Sequence, residues 1–375
     1  MPKKNNAKKK PVIILTGYLG SGKTTVMKEL LLNPNSKKIA VIVNDMGSVN
    51  IDAALLRSGD TSSYTNDMIE LQNGCICCTL RDQFMIEIGK LAAVPDIDVI
   101  LVEASGVSDP ANIAQSFLMY QEMNPQSPVY LSMVVTVADA DRVYTEFLDD
   151  LELRPEKESE EEDPDIINLI MDQIEFCNLI LLNKCDLLSR NQLDRVKQVL
   201  HELQPEAKIV ETVQGKVDSA LIMNQQQFDY NRVRQSSLLS QALSNKAEPA
   251  GQHSEYGITS FVFEDRRPLD RDRFTSFMEN DYPDALIRAK GYIWFSDDDM
   301  HVQLFEQAGR NASITEVSNW VASLSAEDQK EVFDNYPETL NDWDKTYGDR
   351  LNQVVLIGRG YDQGEIIRKL QDCLA

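Results

Sequence analysis

The chain has 375 residues, of which 42% are hydrophobic and 26% charged, and its formal net charge is −23 at pH 7. Its length exceeds the ~100–200 residues of an average domain, so we expect two domains, each with its own core. The negative charge disfavours binding to nucleic acids or anionic membranes, because both would be repelled. No apolar run approaches the ~18–20 residues that span a bilayer. We expect a cytoplasmic protein that is a monomer or a weak homo-oligomer.

Residues 1–10 form a basic arm that contains five lysines. We predict a disordered leader here, with anion binding as the alternative. The apolar run that follows at residues 12–15 is too brief for a secretory signal and leads straight into a glycine-rich loop. The pattern therefore agrees with a cytoplasmic location.

Short, β-branched apolar runs alternate with helical patterns through the first half of the chain. This alternation is typical of a parallel sheet wrapped by helices, and continuous apolar runs suit strands that are covered on both faces. The predicted strands are 11–16, 39–43, 99–103, 130–137, 179–183 and 208–212. The predicted helices between them are 24–32, 80–93, 112–120, 166–177 and 192–203.

An acidic segment at 152–165 interrupts this first domain, and we interpret it as a solvated loop, with cation buffering or partner docking as the alternative. At 236–253, polar residues and a Pro-Ala-Gly step replace the periodic apolar residues, which indicates a linker.

The second domain is predicted to have its own core. Its predicted core residues include Tyr292, Trp294 and Phe295, with docking of a partner as the alternative. Further strands are predicted at 258–263, 291–295, 302–306, 313–320 and 353–357, and helices at 270–278 and 363–374.

Residues 17–24 read GYLGSGKT, which matches the phosphate-loop pattern Gly-x4-Gly-Lys-Thr. The motif follows a predicted strand and opens a predicted helix, which is the context that such a loop requires. Backbone N–H groups would close around the phosphates, Lys23 would reach the β- and γ-phosphates, and Thr24 would hold Mg²⁺. The predicted nucleotide contacts of the loop are Gly17, Gly20, Ser21, Gly22, Lys23, Thr24 and Thr25.

The loop refines the predicted fold class. We predict an α/β P-loop NTPase domain at 11–235, with a doubly wound and mostly parallel sheet. A smaller α+β C-terminal domain is predicted at 254–375.

A second segment, Glu103-Ala104-Ser105-Gly106, follows the apolar run at 99–102 and is predicted to lie beside the phosphates. The Glu103 carboxylate would hold Mg²⁺ through water, and the Gly106 N–H would sense the γ-phosphate, so that loss of this phosphate releases the loop. Lys23 and Glu103 are the predicted catalytic residues. Because no general base or arginine finger stands out in the sequence, we expect slow intrinsic turnover.

The tetrapeptide Asn183-Lys184-Cys185-Asp186 ends another apolar strand and predicts the choice of base. The Asp186 carboxylate can accept both N1–H and N2–H of guanine, an arrangement that adenine cannot satisfy. Asn183 would meet the O6/N7 edge, and the stem of Lys184 would pack on the base plane. The sequence therefore predicts GTP as the nucleotide.

Three cysteines, Cys75, Cys77 and Cys78, are clustered within four residues. In a reducing compartment, such a cluster indicates metal binding or redox activity before a disulfide framework. Three thiolates suit Zn²⁺ or another soft divalent ion such as Co²⁺ or Fe²⁺, and a missing fourth ligand would leave the ion exchangeable. Buried structural cysteines and a redox dithiol are the alternatives.

These motifs together resemble the CobW-type metallochaperone GTPases. The likeness rests on segments 17–24, 43–47, 51–52, 73–78, 103–106 and 183–186, and on 257–260, 267–270, 288–291 and 348–358 in the C-terminal domain. The resemblance implies a GTPase that binds Zn²⁺ or a related ion at the three cysteines and transfers it to a metal-requiring client protein. It also implies that GTP hydrolysis is coupled to the transfer.

The sequence departs from the family pattern near the first switch. Asp45 stands where the family usually has a Glu, and Ser48 stands where a second Glu is common, so Asp45 is the candidate carboxylate ligand beside the thiolates. The His-rich loop that is frequent in the family is missing. Two functions are alternatives to metal delivery. One is a GTP-gated regulatory switch with structural cysteines, and the other is a thiol redox protein.

Overall fold

A computed structural model describes residues 9–32, 37–43, 68–70, 81–106, 108–148, 164–223, 227–237, 258–309, 311–341 and 343–375. The chain divides into two compact units. The first contains Met1–Lys157 and Leu169–Ser237, and the second contains Glu158–Asn168 and Leu238–Ala375. None of the helices in the described ranges is both long and apolar enough to cross a membrane.

A seven-stranded sheet forms the centre of the first unit. Its strands are β1 Lys10–Thr16, β2 Ile39–Val43, β3 Met68–Glu70, β4 Val99–Glu103, β5 Val129–Asp139, β6 Leu179–Asn183 and β7 Lys208–Glu211. Their spatial order is β3-β2-β4-β1-β5-β6-β7, and every adjacent pair is parallel. The strands β4 and β6 are buried along their whole length, as expected for strands with helices on both faces. The predicted doubly wound parallel sheet is confirmed.

The helices in the described ranges up to residue 237 are mostly those that the periodicity predicts. They are α1 Lys23–Leu32, α2 Arg81–Ala93, α3 Pro110–Met123, α4 Ala140–Phe147, α5 Pro164–Glu175, α6 Arg190–Leu203, α7 Ser219–Met223 and α8 Tyr230–Ser236. Helix α1 directs Val26, Met27 and Leu30 into the same core cluster as Ile13 and Leu15 of β1. This packing fixes the helix that follows the phosphate loop against the central strand.

The second unit contains a five-stranded antiparallel sheet. Its strands are β8 Ile258–Asp265, β9 Leu286–Phe295, β10 Asp298–Ala308, β11 Asn311–Asn319 and β12 Asn352–Arg359, in the order β11-β10-β9-β12-β8. In the described part of this unit the sheet is accompanied by the helices α9 Arg271–Asn280, α10 Ala326–Asn335 and α11 Gln363–Asp372. Phe274 and Phe277 of α9 and Ile366 and Leu370 of α11 share one core with the sheet. The predicted α+β class of this part is confirmed.

The predicted elements differ from the structure in a few places. The helices α4, α7, α8 and α10 and the short strand β3 were not predicted. Among the three aromatic residues predicted to be core, Trp294 and Phe295 are buried but Tyr292 is 50% exposed. Tyr292 and Trp294 lie on the same face of β9, and a second cluster that includes Val302 and Trp320 packs on Trp294.

Candidate nucleotide-binding site

The topology brings the predicted nucleotide motifs to one edge of the parallel sheet. β1 lies between β4 and β5, with Leu15 opposite Glu103. β6 lies on the other side of β5, with Asn183 opposite Asp139. Because parallel strands end at the same edge, the segments after β1, β4 and β6 converge there, which is where open α/β sheets bind ligands.

The phosphate loop curls around the side chain of its own lysine. Lys23 is buried, and its Nζ donates to the carbonyl oxygens of Gly17 at 2.6 Å and Tyr18 at 3.1 Å. Gly17 has a φ of 142° and Gly22 a φ of 103°, values that an L side chain rarely adopts. A Cβ at position 17 would also lie 2.3 Å from the carbonyl oxygen of Val137, so the loop packs directly on β5.

Asn183 connects the predicted base motif to the phosphate loop. Its Nδ2 donates to the carbonyl oxygen of Ser21 at 2.9 Å. Its Oδ1 accepts from Thr212 Oγ1 and from the Gly215 N–H, both at 3.1 Å. A Cβ at Gly22 would lie 2.3 Å from Asn183 Nδ2, so this approach requires a glycine. The Asn183 side chain is 3% exposed, and both its amide nitrogen and its amide oxygen are hydrogen-bonded. It therefore holds the base motif and the phosphate loop in a fixed relative position.

Lys184 and Asp186 occupy a tight turn after β6. Lys184 adopts a left-handed conformation with φ 60°, and its Nζ forms an ion pair of 2.6 Å with Asp139 Oδ2. Asp186 lies in a 3-10 turn, Cys185–Leu187, and its side chain is exposed. An exposed carboxylate beside a buried amide can accept hydrogen bonds from the edge of a base.

Asp139 was not among the predicted site residues. The signal that could have found it is the one that indicated Glu103 and Asn183, a polar residue directly after a buried apolar strand. Arg142 was missed as well. Its guanidinium lies 4.4 Å from the ring centroid of Tyr18 in the phosphate loop, a cation–π contact that only the tertiary fold reveals.

The segment after β4 lies against the phosphate loop. Glu103 is 2% exposed, and the next residue, Ala104, donates its N–H to the Leu15 carbonyl at 2.9 Å. A Cβ at Gly106 would lie 2.9 Å from Leu19 Cγ and 3.0 Å from the Leu19 nitrogen. The structure therefore brings the predicted γ-phosphate sensor, Gly106, into contact with the phosphate loop.

The predicted metal ligands Cys75, Cys77, Cys78 and Asp45 lie outside the described residues. Within the described ranges, no group of three or more His, Cys, Asp and Glu side chains is placed to hold a metal ion.

The other three cysteines, Cys177, Cys185 and Cys373, are buried and unpaired by disulfides. Burial raises the pKa of the Cys177 thiol to about 12 and that of Cys373 to about 11, and it also raises the pKa of Cys185. Burial disfavours the reactive thiolate form of all three, which agrees with a structural role in the two cores.

A parallel sheet with a phosphate loop, an acidic residue after the neighbouring strand and a guanine-type motif defines the class of P-loop nucleotide-binding proteins. The family described as "CobW/HypB/UreG, nucleotide-binding domain" matches residues 11–211, and the family described as "Cobalamin synthesis protein cobW C-terminal domain" matches residues 258–374. The chain belongs to the CobW family, and it is a GTPase. The resemblance noted from its motifs is thereby confirmed.

Similar proteins carry related names. The zinc-regulated GTPase metalloprotein activator 1 of Dictyostelium discoideum is 31% identical over 382 residues, covering 98% of this chain and 80% of that protein. The zinc chaperone CobW of Sinorhizobium sp is 34% identical over 226 residues, covering 58% of this chain and 63% of that protein. The crystal structure of the Zn(II)-bound YjiA GTPase from E. coli aligns with 21% identity and a TM-score of 0.42, covering 98% of this chain and all of that one.

Proposed function

We propose that the GTPase binds GTP with the phosphate loop and the residues Asn183, Lys184 and Asp186. The observation that carries this assignment is the bond from Asn183 Nδ2 to the Ser21 carbonyl, 2.9 Å long, which fixes the base motif against the phosphate loop. The exposed Asp186 carboxylate would accept N1–H and N2–H of guanine. Adenine offers neither donor, so its binding would leave the carboxylate unpaired.

Mg²⁺ fits the oxygen donors that this edge of the sheet offers. The Thr24 hydroxyl is in the first turn of α1, and the Glu103 carboxylate is buried at the end of β4. Hydroxyl and carboxylate oxygens are ligands that Mg²⁺ prefers. When bound, the ion neutralises charge that develops on the phosphates. We assign the catalytic contribution of the chain to Lys23 and Glu103.

The proposed cargo is Zn²⁺ or a similar divalent ion, held by Cys75, Cys77 and Cys78, with Asp45 as the candidate oxygen ligand. Support comes from the Cys-x-Cys-Cys pattern and from the names of the relatives, a zinc-regulated metalloprotein activator and a zinc chaperone. Three thiolates bind Zn²⁺ strongly, and an incomplete ligand set allows the ion to pass to another protein. The proposed partner is a metal-requiring client protein.

We further propose that the γ-phosphate controls this transfer through the loop after β4. Gly106 is in contact with Leu19 of the phosphate loop, so the presence or loss of the γ-phosphate can be sensed by its backbone. A loop that is ordered in one nucleotide state and released in the other is a common switch in GTPases. Metal release to the client would then follow hydrolysis.

Metal titration of the full chain in two nucleotide states tests this function. We expect stoichiometric Zn²⁺ binding whose affinity differs between the GDP complex and the complex with a non-hydrolysable GTP analogue. The triple variant Cys75→Ser, Cys77→Ser, Cys78→Ser should lose the tight site. Cys373→Ser, which changes a buried thiol of the second unit, is the matched control and should retain it.

Two results would contradict the proposal. If the triple variant bound Zn²⁺ as tightly as the parent, the cysteines would not be the ligands. If Zn²⁺ bound equally well in both nucleotide states, the protein would be a GTPase whose metal is structural.

The choice of base is tested by a separate variant. Asp186→Asn should weaken GTP binding and favour xanthosine triphosphate, because the new amide can donate to the O2 of xanthine.

A further inference from the structure

Gln173 of helix α5 makes two hydrogen bonds to the loop that follows β4. Its side chain is 1% exposed, and its Nε2 donates to the carbonyl oxygens of Gly106 at 3.2 Å and Ser108 at 3.3 Å. One side-chain amide therefore holds this loop at two backbone positions, Gly106 and Ser108. Leaving a buried amide without hydrogen-bond partners costs free energy. The two bonds therefore hold the loop in one position against α5.

The sheet holds Gln173 in turn. Thr136 of β5, which is 2% exposed, donates its Oγ1 to the Gln173 carbonyl at 2.6 Å. β5 pairs directly with β1, the strand that ends in the phosphate loop. The backbone of α5 at Gln173, from which the side-chain amide extends, is thus held on the strand beside β1.

Gly106 is enclosed from two sides by this arrangement. On one side, a Cβ at position 106 would lie 2.9 Å from Leu19 Cγ in the phosphate loop, and on the other side the Gly106 carbonyl accepts from Gln173. The loop is therefore closed onto the phosphate loop in the conformation that Gln173 stabilises.

We propose that Gln173 is a positioning residue that sets the preference of this GTPase for GTP over GDP. It does so by holding the Gly106 loop closed, so it acts through Gly106 and does not touch the nucleotide. The inference rests on the proposed role of Gly106 as the γ-phosphate sensor. GTP and GDP share the base and two phosphates, so loss of Gln173 should affect only the part of binding in which they differ.

The test compares Gln173→Leu with a matched variant elsewhere in the same unit. Gln204 is also fully buried, and its Nε2 also donates to two carbonyls, those of Glu175 and Val233. Gln204→Leu therefore removes the same kind of buried amide without touching the loop. Affinities for GDP and for a non-hydrolysable GTP analogue are measured on the full chain by titration with fluorescent nucleotides.

We expect Gln173→Leu to lower the ratio of GTP-analogue affinity to GDP affinity about five- to tenfold, the size of one to two lost hydrogen bonds. GDP affinity should stay at the parent value. Gln204→Leu should lower thermal stability but leave the ratio unchanged. A ratio that stays at the parent value in Gln173→Leu, or an equal fall with both nucleotides, would overturn the proposal.

Two more variants complete the test. Gln173→Asn keeps the amide but shortens its reach, so it should lower the ratio as well, and it serves as the test if the leucine variant does not fold. Gly106→Ala tests the sensor itself, because its Cβ would strike Leu19. If Gly106→Ala changes the ratio and neither Gln173 variant does, only the role of Gln173 fails. If none of the three changes it, the proposed sensor fails too.

Discussion

Asp139 uses its two carboxylate oxygens for different tasks. Oδ1 caps helix α4 by accepting from the N–H groups of Asp141 at 3.1 Å and Arg142 at 3.3 Å. Oδ2 pairs with the Lys184 ammonium at 2.6 Å. Lys184 has a left-handed backbone, which costs a non-glycine residue about 1 kcal/mol, so the ion pair helps to hold an unfavourable turn. One side chain thus joins a helix start to the base motif.

Asp139→Asn separates the two tasks. Asparagine caps helices about as well as aspartate, so α4 should persist, but the charge that holds Lys184 is lost. We expect GDP and GTP affinities to fall together, roughly fivefold, because the base is common to both and the pair is partly exposed. Fluorescent-nucleotide titration measures the effect.

Asp141→Asn provides the control, since it removes an exposed acid from the same turn and should leave both affinities unchanged. Equal binding by Asp139→Asn and the parent would mean that the pair with Lys184 does not contribute to nucleotide binding.

Site residues differ in how far the sequence could reveal them. Lys23, Glu103 and Asn183 follow apolar strands at motif spacings, and a parallel sheet must bring such residues to one edge. Gln173 gave no such signal, because it lies within a helix and its partners are backbone carbonyls more than 60 residues earlier in the chain. Contacts of this kind depend on helix packing, which periodicity does not specify.

Secondary-structure elements show the same division between local and tertiary information. The strands β2, β4 and β6 were predicted with the bounds that the structure has, because each is a short continuous apolar run. Helix α4 was missed because β5 runs into it at Asp139 without an intervening turn residue. Helix α10 was missed because it buries no residue and so lacks an apolar stripe, although Ser325 caps it.

A charged contact between β7 and α6 makes stability depend on pH. Glu211 at the end of β7 accepts from Lys197 at 2.6 Å and from Arg190 at 3.0 Å. The hydrogen bond from Lys197 lowers the pKa of Glu211 below its ordinary value of 4.5. A carboxyl group with a lowered pKa in the folded state stabilises the protein above its unfolded pKa, and this contribution is lost as the pH falls through the folded value.

Glu211→Gln should therefore reduce the loss of unfolding free energy between pH 7 and pH 3. The difference from the parent should be below about 1 kcal/mol, because the group is partly exposed. Lys197→Met should also make the unfolding free energy depend less on pH, since it removes the main cause of the lowered pKa of Glu211. Urea unfolding at both pH values measures it, and an identical loss in Glu211→Gln and the parent would contradict this assignment.

At the scale of the whole molecule, the six cysteines form two sets with different chemistry. Cys177, Cys185 and Cys373 belong to the cores of the two units, with exposed fractions of 0%, 6% and 3%. The other three are concentrated in the Cys-x-Cys-Cys segment. A thiol-based metal or redox function of the kind proposed for this protein would therefore use the Cys-x-Cys-Cys segment rather than these three cysteines, because burial disfavours the thiolate that binds metals and exchanges disulfides.

Thiol titration with a disulfide reagent tests this division on the full chain. The variant Cys75→Ser, Cys77→Ser, Cys78→Ser should show essentially no reactive thiol when native at pH 8, and its three remaining cysteines should all react in denaturant. The metal-free parent should show the thiols of the cluster in addition, and bound Zn²⁺ should protect them, because the metal occupies the thiolate form that attacks the reagent. A native triple variant that reacted at once would show that a core cysteine is accessible. A metal-free parent without reactive thiols would exclude the cluster as an open metal site.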